Sequence, residues 1–212
     1  AGPPAGCNGR QVSAMSRPGS SNTLRIVGGK WRSRRLRFVD ADGLRPTPDR
    51  VRETLFNWLQ FEIPGAHCLD AFAGSGALGF EALSRGAASV VMIERHADQH
   101  RALLAAAAEL GADGARILHG DANRLLDAVP DWRPPRGFEV VFLDPPYGKG
   151  LVSTTLSILL QHDWLASGAL LYIESELDWA GLALPEAIRQ QRSTRAGLVN
   201  AFLARYEPER PA

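Results

Sequence analysis

The stretch Asp70-Ala-Phe-Ala-Gly74-Ser-Gly76-Ala-Leu-Gly79 constrains this chain more than any other. It joins a strand-like run, CLDAF at 68–72, to a helix predicted from about 77 to 84. Glycines spaced GxGxxG at such a turn let a ligand approach the backbone at a helix N-terminus. The alternation then continues. Strands are predicted at 89–94, 115–120, 138–144 and 169–174, and helices at 97–110, near 122–128 and over about 151–162. On the helix at 97–110 the expected apolar face is Leu103, Leu104 and Ala107. The end of the chain departs from this rhythm: 187–194 and 198–206 read as two strands around Ala196-Gly197. The expectation is an α/β fold with a mainly parallel, doubly wound sheet and an antiparallel last strand.

Length and charge set the function classes. A chain of 212 residues with 45% apolar and 22% charged residues suits one globular domain with a small appendage. Two cysteines, Cys7 and Cys68, supply neither a disulfide framework nor a four-cysteine zinc site, and they fit a reducing compartment. No apolar run approaches the roughly 18 residues of a membrane span, and the N-terminus has no signal-peptide core. A soluble, cytoplasmic protein with no membrane partner is expected. The charge is unevenly placed. Residues 1–60 carry eleven Lys/Arg against four Asp/Glu, a balance of +7, while 61–212 carry −6. A basic front on an acidic body points to a polyanionic partner.

That front divides further. Residues 1–22 hold 13 Gly, Pro, Ser or Asn with no apolar periodicity, so 1–23 reads as a disordered tail. It lacks the apolar face of a transit peptide, and Met15 offers a second start position. Residues 24–63 form a basic extension. Two β-like runs flank Gly28-Gly29, with Arg25, Lys30, Arg32, Arg34, Arg35 and Arg37 among them. Thr47-Pro48 then opens a helix, with Thr47 as N-cap and Pro48 at the first helical position. Val51, Leu55, Trp58 and Leu59 recur at helical spacing. The six arm cations, with Arg45, Arg50 and Arg52, are expected to bind phosphates. Residues 64–208 make up the α/β domain.

Three acids mark three successive strand ends. Asp70 places a carboxylate beside the glycine loop, where it repels a pyrophosphate but suits a cationic amino group or sulfonium. Glu94 can accept from ribose hydroxyls, and Asp121 from an adenine amine. Further along, FEVVFL runs into Asp144-Pro145-Pro146-Tyr147. Two prolines stiffen this turn. An Asp144 oxygen and the Pro145 carbonyl can both accept from one –NH2 group, exposing the lone pair of an exocyclic base amine. Tyr147 offers a face on which an extruded base stacks.

Taken together, the chain resembles the S-adenosylmethionine-dependent methyltransferases of the seven-stranded Rossmann-like class I. More narrowly it resembles the RsmD family, which methylates guanine N2 in bacterial 16S ribosomal RNA. The resemblance rests on RIVGGKWRSRRL (25–36), GLRPTPDRVRETLFNWL (43–59), LDAFAGSGALGFEALSRGA (69–87) and DPPYGKG (144–150). It implies a mostly parallel seven-stranded sheet with an antiparallel last strand and a small basic N-terminal hairpin and helix extension. It implies methylation of one guanine, position 966, in 16S RNA of the assembling 30S subunit, by a monomer without metal. The cofactor set it implies is Asp70, Phe72, Ala73, Gly74, Ser75, Gly76, Glu94, Arg95, Asp121 and Ala122. The catalytic set is Asp144, Pro145 and Tyr147. Ala71 departs from the larger apolar residue more usual in the family.

Other readings are weaker. An adenine-N6 or cytosine-N4 DNA methyltransferase shares the DPPY turn, but it usually needs a target-recognition domain that 212 residues hardly accommodate. A nicotinamide-dependent oxidoreductase has no use for DPPY, and a non-catalytic RNA-binding protein has no use for the acids. His96 and His100 stand i, i+4, yet read as a surface pair. Neither GxSxG nor GxxxxGK[ST] occurs.

Overall fold

A computed structural model describes residues 23–39 and 48–208. Among these, strands β3 (His67–Asp70), β4 (Ser89–Glu94), β5 (Ala115–His119), β6 (Phe138–Leu143), β7 (Leu165–Ser175), β8 (Ile188–Ala196) and β9 (Val199–Tyr206) form one sheet in the order β5-β4-β3-β6-β7-β9-β8. β3 to β7 pair in parallel, and β9 runs antiparallel to both its neighbours. The last strand is thus inserted between β7 and β8, which leaves β8 at the edge. Successive strands step outward from β3 to β5, and the chain then returns to the other side of β3 with β6. A crevice opens at that reversal, beyond the carboxyl ends of β3 and β6.

Alternation along the strands divides the core. Val140, Phe142, Leu170, Tyr172, Ala201 and Leu203 point to one face. Helices α1 (Asp49–Trp58), α2 (Ala77–Ser84) and α3 (Ala97–Leu110) contribute residues to the apolar cluster there. Val141, Leu143, Leu171, Ile173 and Phe202 point to the other, under α4 (Ala122–Asp127) and α5 (Leu151–Gln161). Rings anchor both faces. Phe56 meets Phe142 at 6.0 Å, and Trp164 stacks on Phe138 at 5.9 Å while its indole N–H donates to the Leu126 carbonyl at 3.1 Å. Each such buried ring contributes on the order of 2–3 kcal/mol.

A second, two-stranded sheet pairs β1 (Thr23–Arg25) with β2 (Arg35–Arg37), Leu24 opposite Leu36 and Arg25 opposite Arg35. Leu24 and Leu36 are buried in the first cluster, together with Ile26 and Trp31. The alternation leaves Arg25, Arg35 and Arg37 exposed on the opposite side.

Several expectations shift. Pro48 is the N-cap of α1 rather than its first helical residue, and Thr47 lies outside the described residues, as do the 1–22 tail and Arg45. The buried stripe of α1 includes Arg52, Leu55, Phe56 and Leu59, with Trp58 only half-buried. On α3 the buried positions are Gln99, Leu103, Ala106 and Leu110, whereas Leu104 is exposed. β7 starts at Leu165 because Leu165 pairs with Phe138 before a register shift brings Leu170 opposite Val140.

Candidate active site

The glycine loop is held from both sides. Gly76 caps α2 in the left-handed region, φ 76°, and a Cβ there would lie 2.6 Å from the Phe80 ring. Both oxygens of Glu94 accept backbone protons: Oε2 from Gly74 at 3.0 Å, and Oε1 from His96 at 2.6 Å. Gln99 closes the loop by donating to the Gly74 carbonyl at 2.7 Å. Each oxygen of Glu94 keeps a second acceptor site for a ligand hydroxyl. Sequence reasoning missed Gln99, which stands on the buried stripe of α3.

Asp70 is deeper than its position at a strand end implies. It is 1% exposed, and its Oδ2 accepts from the Gly79 amide at 3.0 Å under the first turn of α2. Burial pushes its carboxyl up to about 7; amide protons from Gly79 and Phe72 pull the other way, and the charge of Glu94 adds to the rise. Phe72 is half-buried against the second cluster, and Ala73 and Ser75 are buried. Asp121 is exposed and caps α4 by accepting from Arg124 N at 3.1 Å, and Ala122 is buried behind it. Arg95 is exposed, with its carbonyl 3.2 Å from His119 Nε2. The i, i+4 histidines diverge: His96 caps α3, and the His100 ring lies 5.2 Å from that of His119.

The Asp144-Pro-Pro-Tyr147 turn leaves β6 beside this loop. Asp70 is the register partner of Phe142, so Asp144 lies two residues, roughly 6–7 Å, farther along the strand. Asp144 is half-buried, Pro145 buried, and Tyr147 49% exposed. The Gly148 amide donates to Glu176 Oε1 at 2.7 Å, tying the turn to the loop after β7. Behind it stands a pair that sequence reasoning missed. Tyr172 donates its hydroxyl proton to Glu174 Oε1 at 2.7 Å, both residues being buried. Burial holds the Tyr172 hydroxyl well above the usual phenol range; Glu174, then Asp144 and Tyr147, add to it. Only the register of β6 and β7, Phe142 opposite Tyr172, reveals that Tyr172 and Asp144 share a face.

The basic arm docks on the back of α2. Glu81 accepts the amides of Val27 and Gly28 at 2.7 and 2.8 Å, and the Ser84 hydroxyl accepts from Trp31 N at 2.9 Å. Gly29, φ 76°, lies so close that a Cβ would stand 1.9 Å from the Ser84 carbonyl oxygen. Lys30, Arg32, Arg35 and Arg37 are exposed. Arg25 pairs with Asp49 at 3.2 Å, and Arg34 donates to the Glu109 carbonyl at 3.2 Å. Arg50 is exposed on the first turn of α1. Arg52 corrects the expectation of a phosphate contact. Its side chain is fully buried, 2.8 Å from the Arg25 carbonyl and 3.6 Å from Glu81, and it cannot reach a phosphate.

A switch-point crevice lined by strand-end acids, with one antiparallel strand inserted at the far side of the sheet, defines a Rossmann-like methyltransferase fold. The chain belongs to the ribosomal RNA small subunit methyltransferase D family: the family model described as "Conserved hypothetical protein 95" matches residues 24–205. It is 43% identical over 197 residues to "Ribosomal RNA small subunit methyltransferase D" of Escherichia coli K12, covering 92% of this chain and 97% of that protein. The Haemophilus influenzae protein of the same name is 39% identical over 186 residues, covering 86% and 94%. The solved structure of yhhF from Escherichia coli superposes with a TM-score of 0.77 at 42% identity, covering 88% of this chain and 99% of that one. An RNA methyltransferase from Salinibacter ruber, solved with S-adenosyl-L-homocysteine, shares the fold at 21% identity and a TM-score of 0.58, covering 79% and 97%.

Proposed function

We propose that the protein methylates the exocyclic N2 of one guanine in small-subunit ribosomal RNA. The methyl donor is S-adenosylmethionine. The residues around the glycine loop fit that group. Asp70 and Glu94 are buried there, and no Lys or Arg occurs between residues 70 and 79 to neutralise a pyrophosphate. When bound, the donor supplies an electrophilic methyl on a sulfonium, so the chain's own residues mainly align the acceptor. Asp70 faces the cationic amino acid end, Glu94 the ribose, and Asp121 the adenine. At the acceptor side, Asp144 and the Pro145 carbonyl hold the amine protons, and Tyr147 stacks the extruded base. Asp144 takes the amine proton once transfer is complete.

The observation that carries this reading is the pairing of the DPPY turn with the glycine loop on adjacent strands, with Asp144 half-buried and Tyr147 half-exposed. Residues 24–63 serve as the RNA-binding extension and 64–208 as the catalytic domain, acting as a monomer in the cytoplasm on the assembling 30S subunit. In the arm, Arg25 and Arg35 stand directly opposite each other on an exposed face, and of the two it is Arg25 that pairs with Asp49. The test offers methyl-labelled donor with 16S RNA, 30S particles and duplex DNA. Label in the RNA or particle, recovered as N2-methylguanosine, is the expected result. Label in DNA alone, or on another base atom, overturns it.

A further inference from the structure

One acid-free segment of the acidic domain carries four arginines. From 187 to 206 the chain carries Arg189, Arg192, Arg195 and Arg205 and no Asp or Glu, although residues 61–212 as a whole are net negative. This segment is the β8–β9 hairpin, and β8 is the exposed edge of the sheet. Its arginines fall into two kinds. Arg189 pairs with Glu207 at 2.9 Å, and Arg205 lies 3.6 Å from Glu62. Arg192 and Arg195 are exposed farther along β8, toward the turn, where Arg195 donates its Nε proton to the Gly197 carbonyl at 3.0 Å.

Two structural details aim these side chains. A bulge between Gln190 and Arg192 adds a residue to β8, so that Arg189 lies opposite Arg205 and Arg192 opposite Leu203. Without it Arg192 would turn to the other face; with it, Arg192 shares the face of Leu203 and Tyr172, on which α1 and the basic arm also pack, while Arg195, opposite Asn200, lies on the other face beside the turn. The hairpin tip is also fastened to the catalytic turn. Asn200 donates to the Leu177 carbonyl at 3.1 Å, and Glu176, next in the same loop, accepts from Gly148 beside Tyr147. Leu198, 82% exposed at this turn, adds apolar surface to a basic tip.

We infer that the β8–β9 hairpin is a second RNA-binding element, in which Arg192 from one face of the hairpin and Arg195 from the other hold phosphates on the side of the target nucleotide away from the N-terminal arm. The inference rests on the ribosomal RNA methyltransferase reading. β8 lies three strand spacings from β6, roughly 14–15 Å, while the arm docks on α2 and α3 over the other half of the sheet. The catalytic turn therefore stands between two basic surfaces. The alternative role for charges on an edge strand is to prevent strand-to-strand association. Charge reversal separates the two roles, since glutamates guard an edge as well as arginines do.

The experiment compares the full-length protein with Arg192→Glu/Arg195→Glu and Arg192→Gln/Arg195→Gln, measuring affinity for a 16S RNA fragment against salt and methylation of 30S particles. The reversal should raise the KM for particles at least tenfold and flatten the log affinity against log salt slope by about 1.5, two phosphate contacts. S-adenosylhomocysteine affinity should be unchanged, which also reports folding. The glutamine variant should show the same flattening with a smaller rise in KM. Wild-type slope and KM in both variants, with cofactor binding intact, would overturn the inference and leave the arginines as edge guards. A wild-type protein that methylates no 30S particle would overturn the underlying reading instead, and the inference with it.

Discussion

Glu81 on α2 and Arg52 on α1 face each other at 3.6 Å with neither side chain open to solvent. The same carboxylate accepts the amides of Val27 and Gly28, so one residue of the cofactor-loop helix fastens both α1 and the basic arm. The arm and the glycine loop are thus joined through a single rigid helix. Glu81→Ala removes a carboxylate beside the buried Arg52 guanidinium, which keeps Asp49 at 2.5 Å, and leaves two amides without an acceptor. The expected loss is about 2–5 kcal/mol. At roughly 2–4 °C per kcal/mol for a chain of this size, thermal denaturation should show a midpoint lower by about 10 °C. An unchanged midpoint would mean that the arm is held by its apolar contacts alone.

Asp70 makes the protein sensitive to pH in a defined direction. Its folded value of about 7 lies above that of an unfolded aspartate, near 3.9. Between these values the folded state holds a proton that the unfolded state has lost, so this group lowers stability as pH rises through the window. With Asp70 as the proposed contact of the cofactor's amino group, cofactor binding should run the opposite way, because a cationic ligand favours the ionised carboxylate. Calorimetry with S-adenosylhomocysteine should show affinity rising with pH up to about 7 and levelling above it, and Asp70→Asn should flatten that rise. An Asn variant with the wild-type profile would assign the dependence elsewhere.

The order of strands and helices was legible in the sequence because buried parallel strands write unbroken apolar runs and glycines punctuate them. α2 and α3 fall where periodicity places them. The acids at 70, 94 and 121 were legible from position alone. Their depth was not: Asp70 is enclosed by Gly79, nine residues away, and no local pattern records that. Arg52 misled because charge suggested solvent, although 52, 55, 56 and 59 follow the i, i+3, i+4, i+7 spacing of a buried stripe. Tyr172 and Glu174 could not be joined to Asp144 without the β6–β7 register. The bulge that re-aims Arg192 likewise depends on pairing with β9.

The arm should carry the salt dependence of RNA binding. If about four phosphates are touched, log affinity falls with log salt at a slope near −3 to −4. Arg34→Glu/Arg35→Glu should flatten it and leave cofactor affinity unchanged, since the proposed cofactor site lies beyond the ends of β3 to β5. Unaltered methylation of 30S particles by this variant at moderate salt would reduce the arm to a solubilising hairpin.

Tyr147 is expected to act through its ring. Tyr147→Ala should raise the KM for RNA and lower turnover, at a loss of about 1–3 kcal/mol of stacking, whereas Tyr147→Phe should stay within a few-fold of wild type. Steady-state kinetics on 30S particles distinguish the two. Equal damage from both variants would move the role from the ring to the hydroxyl.

The central claim is that Asp144 orients the accepting amine beside a cofactor held by other residues. Single-turnover methylation of 30S particles by Asp144→Ala, with S-adenosylhomocysteine affinity measured on the same preparation, tests it most directly. N2-methylguanosine formation should be slowed about a hundredfold or more, the scale of removing one preorganised polar contact at a reacting centre, with cofactor affinity intact. Full single-turnover activity in Asp144→Ala would contradict it.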